Sequence, residues 1–369
     1  MRQVEGARHR VLFRDPHAYC AHPHAVALPG GDWLMVFNKA PRRAVILHPP
    51  EEPEFRNLLC RSSDDGETWS TPCVVPDYSY SGMECAGLTA VRDGRVLLNQ
   101  WRFTWVPLPA AEGRDDLTMP ERLAAGLIAS PEHAIDTLAD ARALMPWARA
   151  QGDAFVHLSD DGGRRWHRTV RLGTAPFEGG YGMRGALELP DGDLLLPLAD
   201  VPAYRRIYVL RSSDRGESWG PPVTVADIPG KEFEEPAPLL LPDGRIVMLL
   251  RENRSRRLHL VRSGDGGRSW STPAPTAIDG YPAHLLLLDD GRVLCTIGWR
   301  EPPYGIRVVL FENGPDIGAG DAITIRDDLP NRDLGYPCTL EAADGSLVTF
   351  YYAQDQDGVT AIMSSRYTL

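Results

Sequence analysis

Six times along the chain, two apolar β-rich runs flank a short glycine-containing dipeptide. The copies read "HAVALPGGDWLMVF", "GLTAVRDGRVLL", "ALELPDGDLLLPL", "PLLLPDGRIVMLL", "HLLLLDDGRVLC" and "TLEAADGSLVTF". Apolar runs joined by Asp-Gly or Gly-Gly signal a hairpin, because glycine takes the positive φ that a tight reversal needs. The turn glycines are Gly31, Gly94, Gly192, Gly244, Gly291 and Gly345; four of the five intervals between them run 47 to 63 residues. A second pattern, S-x-D-x-G-x-x-W, recurs between the hairpins at 62–69, 159–166, 212–219 and 263–270. It suits a turn in which Asp folds back onto backbone N–H groups, Gly reverses the chain and Trp plugs the adjoining core. One acid per turn cannot supply the six or more oxygens that calcium takes, so these aspartates are read as structural.

Strand-rich repeats of about 50 residues indicate a β-propeller, here with six blades in one domain spanning 1–369. The N-terminal "RHRVLFRD" and C-terminal "VTAIMSSRYTL" remain to complete the last blade between them. The interval from Gly94 to Gly192 is 98 residues and holds a non-repeat segment at 106–151. Within it, Pro131 and Glu132 follow Ser130, and Ile135, Leu138, Ala141 and Met145 recur at steps of three or four. That pattern predicts a helical insertion in blade two, with a lid, an oligomer contact and mere decoration of the fold all open as its role.

Composition narrows the partners. The 369 residues are 43% hydrophobic and carry a formal net charge of −11, with no Lys/Arg-rich run. A nucleic acid is therefore not an expected partner, since binding it rests on clustered basic residues. No apolar stretch reaches the roughly 18 residues of a membrane span, and the first ten residues contain no signal-type apolar core. Six cysteines (20, 60, 73, 85, 295 and 338) are scattered without metal-like spacing. Free thiols, a cytoplasmic setting, no metal and no cofactor are the expectations.

Candidate chemistry gathers at one register. A hairpin centred near Asp243 sets Glu235 opposite Arg251, with Cβ atoms about 5 Å apart on one face. Nine residues before each turn glycine stand His22, Cys85, Met183, Glu235, Pro282 and Tyr336, with Glu84, Arg184 and Tyr281 one residue aside. The first strand of each propeller blade lines the channel, so His22, Glu84, Arg184, Glu235, Tyr281 and Tyr336 are expected at one rim. Convergent polar groups in a concavity make a binding-site hypothesis.

On these residues the sequence resembles the sialidase (neuraminidase) superfamily, six-bladed propellers with repeated S-x-D-x-G-x-x-W Asp boxes. The resemblance covers nearly the whole chain apart from the insertion. "EPAPLLLPDGRIVMLLR" is similar to the segment carrying a catalytic Glu and a carboxylate-binding Arg, which implies Glu235 and Arg251. "GYPCTLEAADGS" is similar to the segment with the tyrosine nucleophile, which implies Tyr336. A carboxylate can take the phenol proton, and a neutral nucleophile does not repel an anionic sugar. Arg307, 29 residues before Tyr336, matches the separation of a third sialidase arginine; Arg300 is the alternative.

The sequence departs from that family twice. Where sialidases have Arg-Ile-Pro, it reads Ala21-His22-Pro23, and the loop "NKAPRRAVILHPPEEPEF" lacks the usual acid/base Asp. His22, His24, His48, Glu51, Glu52 and Glu54 are the candidates for that role. The resemblance implies an exo-acting hydrolase of a sialic acid or another acidic sugar. A uronate-specific polysaccharide lyase using His and Tyr, and a non-catalytic glycan-binding propeller, remain the alternatives.

Overall fold

The computed structural model describes residues 2–43, 47, 51–76, 81–83, 85–128, 138–201, 203–312, 317 and 320–369. His48, Glu84 and the predicted helix start at Ser130 with Ile135 lie outside them. Six sheets, antiparallel but for one short edge strand, form the blades of an all-β propeller. Each blade's second strand is buried along most of its length, as in Trp33–Pro41 of blade one and Ile246–Glu252 of blade four. Such strands read as continuous apolar runs because neighbouring sheets cover both their faces.

All six repeated turns adopt one geometry. In blade one the Gly31 N–H donates to Leu28 O at 2.9 Å, and the Leu28 N–H donates to Asp32 O at 2.8 Å. This is a three-residue loop with glycine in the left-handed region, a longer reversal than a two-residue turn. Gly31 has φ 90° and Gly244 has φ 82°, a region that disfavours other residues.

The Asp boxes satisfy themselves. In the first box the Gly66 N–H donates to Ser62 Oγ (2.9 Å), and the Thr68 N–H donates to Asp64 Oδ1 (2.8 Å). Trp69 Nε1 donates to Gly66 O, and its ring meets Phe350 of blade six edge-on at 5.5 Å. Asp161, Asp214 and Asp265 repeat the aspartate's role. Their carboxylates are engaged within their own turns.

Blade six closes the ring as expected from the termini. Its outermost strand, Arg8–Phe13, pairs antiparallel with the C-terminal Thr360–Tyr367. One pairing was not foreseen: Arg2–Gln3 adds a parallel fifth strand to blade five, beside Ala322–Leu329. The insertion rises from blade two on an elongated strand pair, Val96–Pro107 and Trp147–Ser159. Helices Leu108–Ala111, Pro120–Ile128 and Leu138–Leu144 sit at its tip. The pair runs away from the Gly94 turn, which puts the insertion on the face where the innermost strands begin.

Candidate active site

Three innermost strands share a device at that face. His22 (φ 55°), Glu235 (φ 51°) and Tyr336 (φ 49°) all adopt left-handed backbone conformations. Each coincides with a register shift against the second strand of its blade, between Ala21 and His24, Glu234 and Ala237, and Gly335 and Cys338. A bulge re-aims a side chain that a regular strand would point elsewhere, and non-glycine left-handed residues cluster at functional sites. The bulge also corrects the expected register: Glu234, not Glu235, pairs with Arg251. Glu235 still reaches the arginine, because the left-handed turn swings its carboxylate inward.

There Glu235 Oε1 accepts two hydrogen bonds, from Arg251 Nη1 at 3.0 Å and from the Tyr336 hydroxyl. Glu235 is 1% exposed, and its Oε2 is buried without a hydrogen-bond partner among the described residues. Arg251 Nε lies 3.3 Å from Glu234 Oε1, close enough for an ion pair but not aligned as a hydrogen bond. Burial works against the Arg251 charge, but Glu235 and Glu234 more than offset it and raise its pKa. Burial, reinforced by the Glu235 charge, pushes the Tyr336 phenol well above its ordinary value. The phenol is therefore protonated at rest and donates to the carboxylate.

A second arginine joins from blade five. The Tyr281 ring has the Arg251 guanidinium 4.2 Å from its centroid and that of Arg300 at 5.6 Å. Arg300 also stands 6.0 Å from the Tyr336 ring and donates from Nε to Leu334 O at 3.0 Å. Arg307 does not join them. It lies on the third strand of blade five with its guanidinium 3.5 Å from the Trp299 ring centroid. Arg184 is 3% exposed and donates to Ala283 O and Pro337 O, so it crosses the channel from blade three to blades five and six.

His22 packs edge-on against Tyr336, with centroids 4.4 Å apart, and against Tyr352 at 5.1 Å. Its Nδ1 meets Asn38 Oδ1 at 3.0 Å and begins a buried chain. Asn38 Nδ2 donates to Asn57 Oδ1, Asn57 Nδ2 to Gln100 Oε1, and Gln100 Nε2 contacts both His157 Nε2 and Pro76 O. A backbone carbonyl only accepts, so the Pro76 contact sets the direction of the Gln100 amide and of every amide after it. Asn38 therefore presents its oxygen to His22, which holds the imidazole proton on Nδ1 and leaves the lone pair of the neutral ring on Nε2.

The remaining acid/base candidates are placed differently. His24 lies deeper in the channel, its Nδ1 accepting from the Leu88 N–H. Glu52 is buried, paired with Arg43 and accepting from the Glu54 N–H, while Glu54 is exposed beside Arg43. The Glu51 carbonyl accepts from Trp147 Nε1, joining the blade-one loop to the insertion. Sequence reasoning overlooked Asp333, whose Oδ1 accepts from the Tyr19 and Tyr352 hydroxyls at 3.1 Å each. Its Oδ2 is buried without a hydrogen-bond partner among the described residues. Asn38, Asn57 and Gln100 were overlooked too, although polar residues inside "MVFNKAP", "RNLLC" and "LLNQWRF" were a visible signal.

Comparison with known proteins agrees with this architecture. Residues 143–310 match the model of a BNR repeat-like domain. A protein of unknown function from Dyadobacter fermentans superposes with a TM-score of 0.81 at 22% identity, covering 99% of this chain and 100% of that one. The NanB sialidase of Streptococcus pneumoniae superposes with a TM-score of 0.70 at 14% identity, covering 97% of this chain and 70% of that one. An α-L-arabinanase from Penicillium chrysogenum, solved with arabinobiose, gives 0.64 at 14% identity, covering 98% and 97%. No curated protein matches the sequence. Among the described residues no helix is long and apolar enough to cross a membrane. With a BNR repeat-like segment, four Asp boxes and six blades, the chain shares the propeller fold of these sialidase and arabinanase structures.

Proposed function

We propose that this propeller is an exo-acting glycoside hydrolase of sialidase type, acting on a terminal sialic acid or a related acidic sugar. One observation carries the reading: the Tyr336 hydroxyl donates to a buried Glu235 that Arg251 also holds. A phenol is a poor nucleophile until a base takes its proton. In this reading Glu235 accepts that proton as the Tyr336 oxygen bonds to the anomeric carbon. The bond to the leaving oxygen breaks, and that oxygen takes a proton from an acid. Water then attacks the anomeric carbon, the tyrosyl bond breaks, and Tyr336 recovers its proton. Arg251 and Arg300, bracketing Tyr281, hold the substrate carboxylate.

His22 fits the acid/base role. Its amide chain keeps Nδ1 protonated, so Nε2 releases and recovers the proton. Asn38→Leu is expected to lower kcat roughly ten- to a hundredfold with little change in KM, a fraction of what general acid–base catalysis supplies. Nitrogen-15 spectra should show a single neutral His22 tautomer in the native protein and a mixture in the variant. Unchanged spectra and rate would make the chain merely structural.

A specific observation also favours the lyase reading. The His22 ring and the Tyr336 hydroxyl share one site, a pair able to remove a C5 proton from a uronate and protonate the leaving oxygen. Aryl glycosides of sialic and uronic acids, together with an oligouronate, separate the two. Aryl release from the sialoside without a new ultraviolet band is expected. An unsaturated product absorbing in the ultraviolet from the oligouronate would favour the lyase, and no turnover of any substrate would favour a binding propeller.

A further inference from the structure

We propose that the central channel, one layer beneath the Tyr336–Glu235 pair, binds a small monovalent inorganic anion such as chloride. Two residues further along the innermost strands from His22, Tyr336 and Pro282 come His24, Cys338 and His284. These, with Arg184, approach a channel cavity of about 380 Å³ that His24, Arg184, Ala237 and His284 help to line. Gly185 lines it where two chain segments meet: a Cβ there would come within 1.9 Å of Leu88 O, and one on neighbouring Gly87 within 2.2 Å of Arg184 O.

The guanidinium and the two imidazoles that line this space, Arg184, His24 and His284, offer it N–H donors. Arg184 spends Nη2 on two carbonyls, whereas its Nε and Nη1 are buried without a hydrogen-bond partner among the described residues. Among the described residues no carboxylate forms an ion pair with it, and a guanidinium keeps its charge even where burial disfavours it. The Glu235 charge acts on it only from beyond contact distance; a buried cation with no anion in contact is costly, and a bound anion removes that cost. His24 Nδ1 accepts from the Leu88 N–H at 2.9 Å, and His284 Nδ1 from the Thr339 N–H at 3.3 Å. Backbone N–H groups only donate, so each ring carries its proton on Nε2. Burial and the nearby Arg184 hold both histidines well below their ordinary pKa, so both are neutral N–H donors, that of His284 already meeting Cys338 Sγ at 3.6 Å.

The same bonds argue against a metal. His24, His284 and Cys338 place potential ligand atoms within 4.8 Å of one another. Both Nδ1 lone pairs, however, are taken by backbone N–H groups, and both Nε2 atoms carry protons. The Cys338 thiol donates to Ala25 O at 3.3 Å, and burial pushes its pKa up, so it is not a thiolate. A cation would also face Arg184. The donor set is complementary to a negative charge, and one guanidinium matches one.

This site does not rest on the glycosidase reading, and its test needs no substrate. Thermal midpoints are measured in sodium isethionate and in sodium chloride or bromide at equal ionic strength. Halide should raise the midpoint saturably by roughly 2–4 °C, as ligand linkage predicts, and Arg184→Met should abolish the difference. Should that variant not fold, bromide-soaked crystals of the native protein decide the matter. An anomalous peak beside Arg184 Nε or Nη1 is expected. A channel without such a peak, or a halide effect that persists in Arg184→Met, would overturn the proposal.

Discussion

Tyr336→Phe is expected to leave the propeller folded and substrate binding nearly intact, while lowering kcat on an aryl sialoside on the order of a thousandfold or more. The size follows from losing the group that forms the covalent intermediate, with only positioning and electrostatic stabilisation left. The ring still packs on His22 and Tyr352, which lie 4.4 and 6.0 Å away, so the fold should hold. Glu235→Gln should cost a comparable factor, and the double variant scarcely more, because the two residues work as one unit. Circular dichroism and a competitive sialic-acid analogue report fold and binding separately from rate. A Tyr336→Phe enzyme near the native rate would end the tyrosine-nucleophile mechanism and move the lyase and binding readings ahead.

Arg251→Ala should act on both catalysis and stability. Charge-assisted hydrogen bonds contribute about 1.5–3 kcal/mol each, so kcat/KM for an acidic sugar should fall roughly ten- to more than a hundredfold. A neutral aryl glycoside should not show that loss. The variant also strands the buried Glu235 and the partly buried Glu234, and breaking a buried pair typically costs about 3–5 kcal/mol. The pH dependence has a definite sign. Burial already raises Glu234, and Arg251 opposes that rise, so removing the arginine raises it further. An acid whose folded pKa lies above its unfolded value destabilises the fold as pH climbs through that interval. The melting deficit of Arg251→Ala should therefore grow as pH rises above the ordinary glutamate range of about 4.3. A deficit independent of pH, together with unchanged selectivity for acidic sugars, would show that Arg251 is only a packing element.

The candidate site was legible in part, and the divisions have physical causes. Glu235, Tyr336 and His22 stood at one register because the repeated turn counts residues from a common origin. The contact between Glu235 and Arg251 was foreseen, but by the wrong pairing. A hairpin without a bulge sets Glu235 opposite Arg251, whereas the left-handed residue shifts the register by one. Arg300 and Arg307 could not be separated by spacing, since the difference is which strand carries each and what its guanidinium meets. Arg307 rests on Trp299, and Arg300 reaches Tyr281 and Tyr336. The chain from His22 to Gln100 crosses from blade one to blade two, and no local pattern records such a contact.

What the sequence determined by itself was periodic and short-range: six hairpins, four Asp boxes, six blades, an insertion in the second, and termini that share the last blade. Turn chemistry, strand propensity and the alternation of apolar runs act over a few residues, so each repeat states its structure locally. Tertiary structure alone decided what meets in the channel. Tyr336 and Glu235 are 101 residues apart in sequence and joined by one hydrogen bond. Arg184 reaches carbonyls on two other blades, and a proline carbonyl sets a histidine's proton through three amides. Such contacts depend on bulges that turn single side chains and on how neighbouring sheets pack, and both are settled only when the ring closes.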